Sequence, residues 1–249
     1  MAEDKTMAPS AAAKAGALKS SLSIELHSHY AIRLWEGRKR ADLSPEKRKR
    51  PEILSMPQAI FRAGIATRDS AADNPYADAV LLKLEQILAL STDKVQQYVR
   101  QLEEILKCVP CHITLGDIAS LEPLNISVYS RSPLGYRCVW LLVGYDQLAL
   151  KAFQAFHYGL ISRSQRDRVL SDGGYAVRRV YGVIQPYKTI NVTRHDILTK
   201  TLTGLDAIER LGEPEPDVMS GKQRSSFSPP LPDADSTGRD ISDKGISVT

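Results

Sequence analysis

The sequence predicts an α+β fold that is mostly helical: a strand-helix-helix unit with an additional N-terminal strand and an αα-hairpin. Three observations carry this expectation. Asn125 to Arg131 alternates, with Asn125, Ser127, Tyr129 and Arg131 on one side and Ile126 and Val128 on the other. A period of two marks a strand with one wet and one buried face. After it, Leu148, Phe153, Phe156, Leu160 and Ile161 recur near helical spacing. Upstream, apolar positions follow the same spacing from Ala79 to Leu88 and from Val95 to Leu106.

The central stretch, Leu124 to Arg168, breaks into a definite order. Ser132-Pro133-Leu134-Gly135 reads as a β-turn, with Pro setting φ and Gly closing it. Cys138 to Val143 is short, apolar and bounded by Gly144, which reads as a buried strand. Asp146 stands at the N-cap position of the next helix, and Ser162-Arg163-Ser164 interrupts that helix and caps a following basic one. Strand, capped helix, Ser-Arg-Ser turn and helix is the order of a ribbon-helix-helix unit, in which strands of two chains pair and enter the major groove. A strand followed by two helices also occurs in folds that touch no DNA. An alternative ribbon, Arg137 to Tyr145, runs directly into the helix at Asp146. Its apolar character on both faces argues against it, because a groove-reading face needs polar side chains.

Taken in order, residues 1–21 read as a flexible arm, Ala-rich with scattered charge. Leu22, Ile24 and Leu26 alternate with Ser23, Glu25 and His27, a strand pattern, and Ala31 to Glu36 can equally begin a helix. Arg38-Lys39-Arg40 and Lys47-Arg48-Lys49-Arg50 bracket a loop that is either simply solvated or a phosphate-contacting arm. Pro57 to Thr67 reads as helix. Asp73-Asn74-Pro75-Tyr76 starts another, and Ser91-Thr92-Asp93 caps a third, so residues from Pro75 to Leu106 form the αα-hairpin. Asp172-Gly173-Gly174 reads as a turn; Tyr175 to Val183 fits strand or helix, with helix preferred. Thr193 caps a last helix that ends near Leu211, with Gly212 at its C′ position. Residues 22–211 are expected to form one globular domain. Residues 212–249 are expected to be a largely disordered tail with a docking motif at 217–231.

The chain of 249 residues carries 33 Lys and Arg against 29 Asp and Glu, a net charge of +4 that allows an anionic partner without demanding one. Three cysteines make no disulfide framework, and neither a secretory signal nor an apolar run near twenty residues is present. The expected compartment is the cytoplasm, with no membrane partner and no inserted helix, while peripheral association stays open.

Few residues point to chemistry. Cys108-Val109-Pro110-Cys111-His112 fits the haem-attachment pattern, a redox dithiol or half a zinc site. Haem attachment needs export, and zinc needs further ligands, whereas Cys138 is isolated in the sequence. A chance spacing at a helix end is the simpler reading. His27 and His29 lack a metal-spaced carboxylate cluster, His195-Asp196 lacks a nucleophile, and no phosphate-binding loop or nucleophile elbow occurs. The expectation is a protein that is not an enzyme, with no cofactor, no metal and no catalytic residue.

A set of motifs then narrows the reading. Leu26-His27 and Arg33-Leu34-Trp35-Glu36-Gly37-Arg38 precede Asp73-Asn74-Pro75-Tyr76-Ala77-Asp78. Ser132-Pro133-Leu134-Gly135-Tyr136-Arg137, Leu141-Leu142 and Tyr145-Asp146-Gln147-Leu148 follow. Thr193-Arg194-His195-Asp196 and the stretch from Asp217 to Pro230 complete the set. In this order, over about Ala17 to Leu231, the chain resembles the AcaB-like transcriptional regulators encoded on conjugative plasmids and integrating conjugative elements. The resemblance implies a DNA-binding activator of transfer genes, working through a ribbon-helix-helix-like unit in an oligomer and without catalysis. The Cys108 to His112 motif is not part of that family pattern.

The expected partner is therefore double-stranded DNA, bound by a homodimer or higher homo-oligomer. Asn125 and Arg131 have the chemistry for adenine and guanine edges, Tyr129 for a thymine methyl or sugar, and Ser127 for either donor or acceptor contacts. Arg137 takes this role in the alternative register. Arg163, Arg166, Arg168, Arg178 and Arg179, with Arg38, Lys39 and Arg40, would hold phosphates. A second reading is a non-catalytic interaction protein of a conjugative transfer apparatus, using helical stripes and the C-terminal motif.

Overall fold

Residues 22–38 and 52–231 are described by a computed structural model. The expected arm at 1–21, Lys39, Arg40, the basic run at 47–50 and the tail from 232 onward lie outside the described residues. The element order is β1 (Leu22–Leu26), α1 (His29–Glu36), α2 (Met56–Ala71), α3 (Pro75–Lys107), β2 (Leu124–Val128), α4 (Pro133–His157), α5 (Arg163–Ile184), α6 (Arg194–Leu198), α7 (Leu202–Leu211) and α8 (Pro216–Met219).

Helix α3 packs on α4 and α5, and α2 lies against α3 and α4. The expected αα-hairpin within 75–106 is instead one helix of 33 residues. Its buried stripe, Leu81, Leu84, Leu88, Ser91, Val95, Val99 and Leu102, keeps helical spacing straight through the Ser91-Thr92-Asp93 cap signal. Ser91 simply occupies one place in that stripe. The helix pair joined by a short link is α2 and α3, connected by Ala72, Asp73 and Asn74, with Asp73 at φ 62°. The Asn74 side chain accepts from Tyr76 and Ala77, and Pro75 fills the first turn.

Helix α4 begins at Pro133, not at Asp146, and so absorbs both the expected turn and the expected second strand. Proline at the first helical position lacks only an N–H that would go unused there. Cys138, Val139, Leu141 and Leu142 are buried while Trp140 between them is 62% exposed, so the run is apolar because most, not all, of the helix surface is covered. Asp146 is a buried mid-helix residue. Its carboxylate accepts N–H groups from His27 (2.9 Å) and Ser28 (2.7 Å), fixing the corner between β1 and α1.

Helix α5 runs through the expected Asp172-Gly173-Gly174 turn. A Cβ on Gly173 would stand 2.8 Å from both Leu148 and Tyr145, so the glycines serve close packing of α5 on α4. This gives a prediction. Gly173→Val should destabilise by about 1–3 kcal/mol through overpacking. Gly182→Ala in the same helix, where a Cβ meets open space, should stabilise by about 0.5–1 kcal/mol. Urea unfolding of both variants checks the contrast.

The expected last helix is two. Thr193 caps α6 and Gly212 ends α7, but Lys200 at φ 53° separates them. Gly204 lets α7 turn back on α6, since a Cβ there would lie 2.2 Å from the Asp196 carbonyl oxygen.

Strand β2 pairs with β1 of its own chain, antiparallel, with Leu22 opposite Val128, Ile24 opposite Ile126 and Leu26 opposite Leu124. Both apolar rows therefore share one face. Among the described residues this is a two-stranded sheet, so each strand has a single strand partner. The order β2, α4, α5 is strand, helix, helix, but β2 is paired with β1 of its own chain, where the expected ribbon pairs strands of two chains.

Candidate nucleic-acid interface

The wet face of the ribbon is built by the same register. Ser23 lies opposite Ser127 and Glu25 opposite Asn125, and all four are exposed. The two strand residues expected to read bases, Asn125 and Ser127, thus face outward together. Tyr129 lies one residue beyond the strand and is 73% exposed; Arg131 is exposed at the foot of α4. Ser130 between them is buried, donates to the Ser132 carbonyl (2.7 Å) and accepts from the Ser132 N–H (3.1 Å). That corner keeps Tyr129 and Arg131 on the outer side as the chain enters α4. Arg137 sits away from this row, half-buried with its guanidinium 5.3 Å from the Phe227 ring.

The remaining arginines fall into separate places. Arg38 and Arg178 line one cleft with Arg33, Tyr30 and Asp167, between α1 and α5. Arg168 borders another cleft, between α3 and α5, and lies 4.0 Å from Asp172. Arg163 is exposed and pairs at 3.7 Å with Asp167. Arg166 also contacts Asp167 (2.6 Å), but it lies over Phe153 and Phe156 and is mostly covered. Arg179 is exposed on α5. Ion pairs this exposed are worth about 0–1 kcal/mol, so an incoming phosphate can replace the carboxylate of Arg163 or Arg168. The fold thus unites Ser127, Tyr129 and Arg131 at one groove and Arg38 with Arg178 at another, with α1 contributing to both.

Sequence reasoning missed Arg33 and the aromatic residues Trp35 and Phe61 beside the strand. It also missed a buried ionic cluster. Arg194 Nη1 contacts Asp73 (2.6 Å), while Arg194 Nη2 and Arg224 Nε (2.9 Å) converge on one oxygen of fully buried Asp78. Ser70 donates to the other oxygen (2.5 Å). Arg194 also donates to the carbonyls of Val218 (3.0 Å) and Met219 (3.2 Å). Ser225 (2.7 Å) and the N–H of Ser226 (2.9 Å) donate to Glu85. Burial alone would raise the Asp78 carboxyl, but the hydrogen bonds from Arg224, Ser70 and Arg194 outweigh it and hold it below the usual aspartate value. Residues 217–227 are thereby attached to α2 and α3. The available signal was the set of motifs around Asp73, Arg194 and Arg224, whose contacts their separation in sequence conceals.

Other candidate chemistry is dispersed. Cys108 and Cys111 are exposed after α3, and Cys138 is in the core, where burial pushes its thiol up to about 12. Among the described residues no group of three or more His, Cys, Asp or Glu is arranged to hold a metal ion. No helix there is long and apolar enough to cross a membrane.

The class these features define is a mostly helical α+β scaffold that presents a polar two-stranded ribbon on its surface. The chain belongs to the AcaB family of transcriptional regulators: the family described as transcriptional regulator AcaB matches residues 14–232. It is also similar to the crystal structure of selenomethionine-containing AcaB from uropathogenic E. coli. That likeness has a TM-score of 0.50 and 11% identity, covering 82% of this chain and 96% of the other, and shows the fold alone. No curated protein matches the chain.

Proposed function

We propose that the chain is a sequence-specific DNA-binding regulator, an activator of conjugative transfer genes that works in the cytoplasm as a homodimer or higher homo-oligomer. The observation that carries this reading is the exposed polar row Asn125, Ser127, Tyr129 and Arg131, fixed by the β1 register and by the Ser130 corner. In this reading the ribbon leads a ribbon-helix-helix-like unit of β2, α4 and α5, and a second copy brings a second ribbon to the duplex. Asn125 and Arg131 contact base edges, and Ser127 and Tyr129 complete the reading face. Arg163, Arg168 and Arg179, exposed on α5, contact phosphates and fix register. Arg38 and Arg178 do so from their cleft. Lys39 and Arg40 extend the same role. Arg166, packed on two phenylalanines, is the least available of the set.

Titration of duplex DNA at several salt concentrations tests the phosphate contacts. Arg163→Ala, Arg168→Ala and Arg179→Ala should each lower the slope of log K against log salt by about 0.9. An unchanged slope removes that residue from the interface.

A second reading, a non-catalytic interaction protein of a transfer apparatus, draws on one observation. Leu198, Leu202 and Leu205 are exposed in sequence order along α6 and α7. The C-terminal motif does not add to it, because Ser225, Ser226 and Arg224 are engaged within the chain. Binding to DNA only at low salt and without sequence preference would favour this second reading.

A further inference from the structure

A groove of about 730 Å³ lies between α2 and the end of β2. Its lining includes three rings, from Trp35, Phe61 and Tyr129, together with Ile60, Gly64 and Val128. Phe61 is 67% exposed and Tyr129 73%, so two aromatic side chains of this lining, one on α2 and one just past β2, stand in solvent. No carboxylate is among its lining residues, which include two arginines, Arg68 and Arg131. Arg68 is paired with Asp69 at 2.9 Å. Arg131 has no carboxylate partner among the described residues. The volume falls within the range of small-molecule sites, which are mostly apolar with a few polar groups that orient the ligand.

We propose that this groove binds a small aromatic acid, with the ring between Phe61 and Tyr129 and the anionic group on Arg131. Ring-on-ring contact supplies the apolar part of recognition, and the guanidinium offers paired donors to a planar carboxylate. The site uses Ser127, Tyr129 and Arg131, the same side chains that the proposed DNA contact needs. Bound acid and bound DNA therefore exclude one another; this second step, unlike the first, rests on the DNA-binding reading.

The test uses 1-anilinonaphthalene-8-sulfonate as an anionic aromatic probe on the full chain carrying Trp140→Phe. That leaves Trp35, inside the groove, as the one tryptophan. Titration should show saturable one-to-one binding with quenching of Trp35. Arg131→Ala should weaken it at least about tenfold. Gly64→Leu, which adds bulk to the lining where a Cβ meets only the Arg131 Cβ at 3.4 Å, should abolish it with the unfolding midpoint little changed. Lys107→Ala, outside the groove, should leave affinity as it was. Non-saturable binding, unquenched Trp35 or equal affinity in the Arg131 and Gly64 variants would overturn the site. So would affinity that tracks protein concentration, which would place the probe between copies. These measurements contain no DNA and stand whatever becomes of the DNA-binding reading. If the probe binds as expected and DNA binding occurs but is not displaced by it, the exclusion is wrong and the site remains.

Discussion

Asp78→Ala is expected to lower the stability of the folded chain by about 3–5 kcal/mol, because removing one member of a buried ionic cluster strands its partners. The Arg194 and Arg224 side chains are largely covered, and both point at an Asp78 carboxylate with no exposure to solvent. Without it, two guanidinium groups lose their counter-charge and Ser70 loses its acceptor. For a domain of this size the change corresponds to a fall in Tm of about 6–20 °C. Asp78→Asn keeps the shape and one acceptor, and should lie between wild type and the alanine variant. A third measurement identifies the charge itself. The folded carboxyls of Asp78 and Glu85 are held below their usual values, Asp78 by Arg224, Ser70 and Arg194 against burial, and Glu85 by Ser226 and Ser225 against burial. A lowered folded pKa gives stability that is complete above the unfolded value and is lost as pH falls through the folded one. Wild-type stability should therefore fall below about pH 4, and the Asp78→Asn variant should fall less steeply there. Parallel acid profiles would mean that the Asp78 carboxyl titrates alike in the folded and the unfolded chain, against the lowered value the cluster implies.

Asp146→Ala should cost about 2–6 kcal/mol. It leaves two covered backbone N–H groups, on His27 and Ser28, without an acceptor, at about 1–3 kcal/mol each. The effect should be local as well as large. Amide exchange should quicken in β1 and α1, which Asp146 ties to α4, while the α3 core stays protected. Asp146→Asn retains one acceptor oxygen and should recover part of the loss. Uniform acceleration across α3 would show that Asp146 supports the whole fold and not this corner.

These two carboxylates also show what was legible in the sequence. Asp146 was recognisable as a residue that satisfies free N–H groups, but those groups belong to His27 and Ser28, about 120 positions away. Local chemistry names the acceptor; only tertiary structure names the donor. The wet and dry rows of β2 were readable because a period of two is local. Its partner β1 was readable as a strand for the same reason, although the pairing was not. The caps at Asn74, Ser162 and Thr193 were legible from residue type. Glycine misled in both central helices. Gly135 and Gly173 look like turn formers, yet each lies inside a helix where a neighbour leaves no room for a Cβ. Ser91-Thr92-Asp93 misled in the same way, since a cap signal within a continuous buried stripe yields to packing. Of the candidate interface, the row on β2 followed directly from alternation. The arginines were not legible as one surface, because Arg178 and Arg168 border different clefts and Arg166 is packed on two phenylalanines.

Selection of duplexes from a random-sequence DNA pool, at moderate salt, tests the central claim most directly when run in parallel on wild type, Asn125→Ala and Arg131→Ala. Wild type should enrich a defined site, and each variant should relax the preference at its own position, an adenine for Asn125 and a guanine for Arg131, by about 1–3 kcal/mol. Enrichment of the same site by all three proteins, or of none by wild type, would contradict base reading by this ribbon.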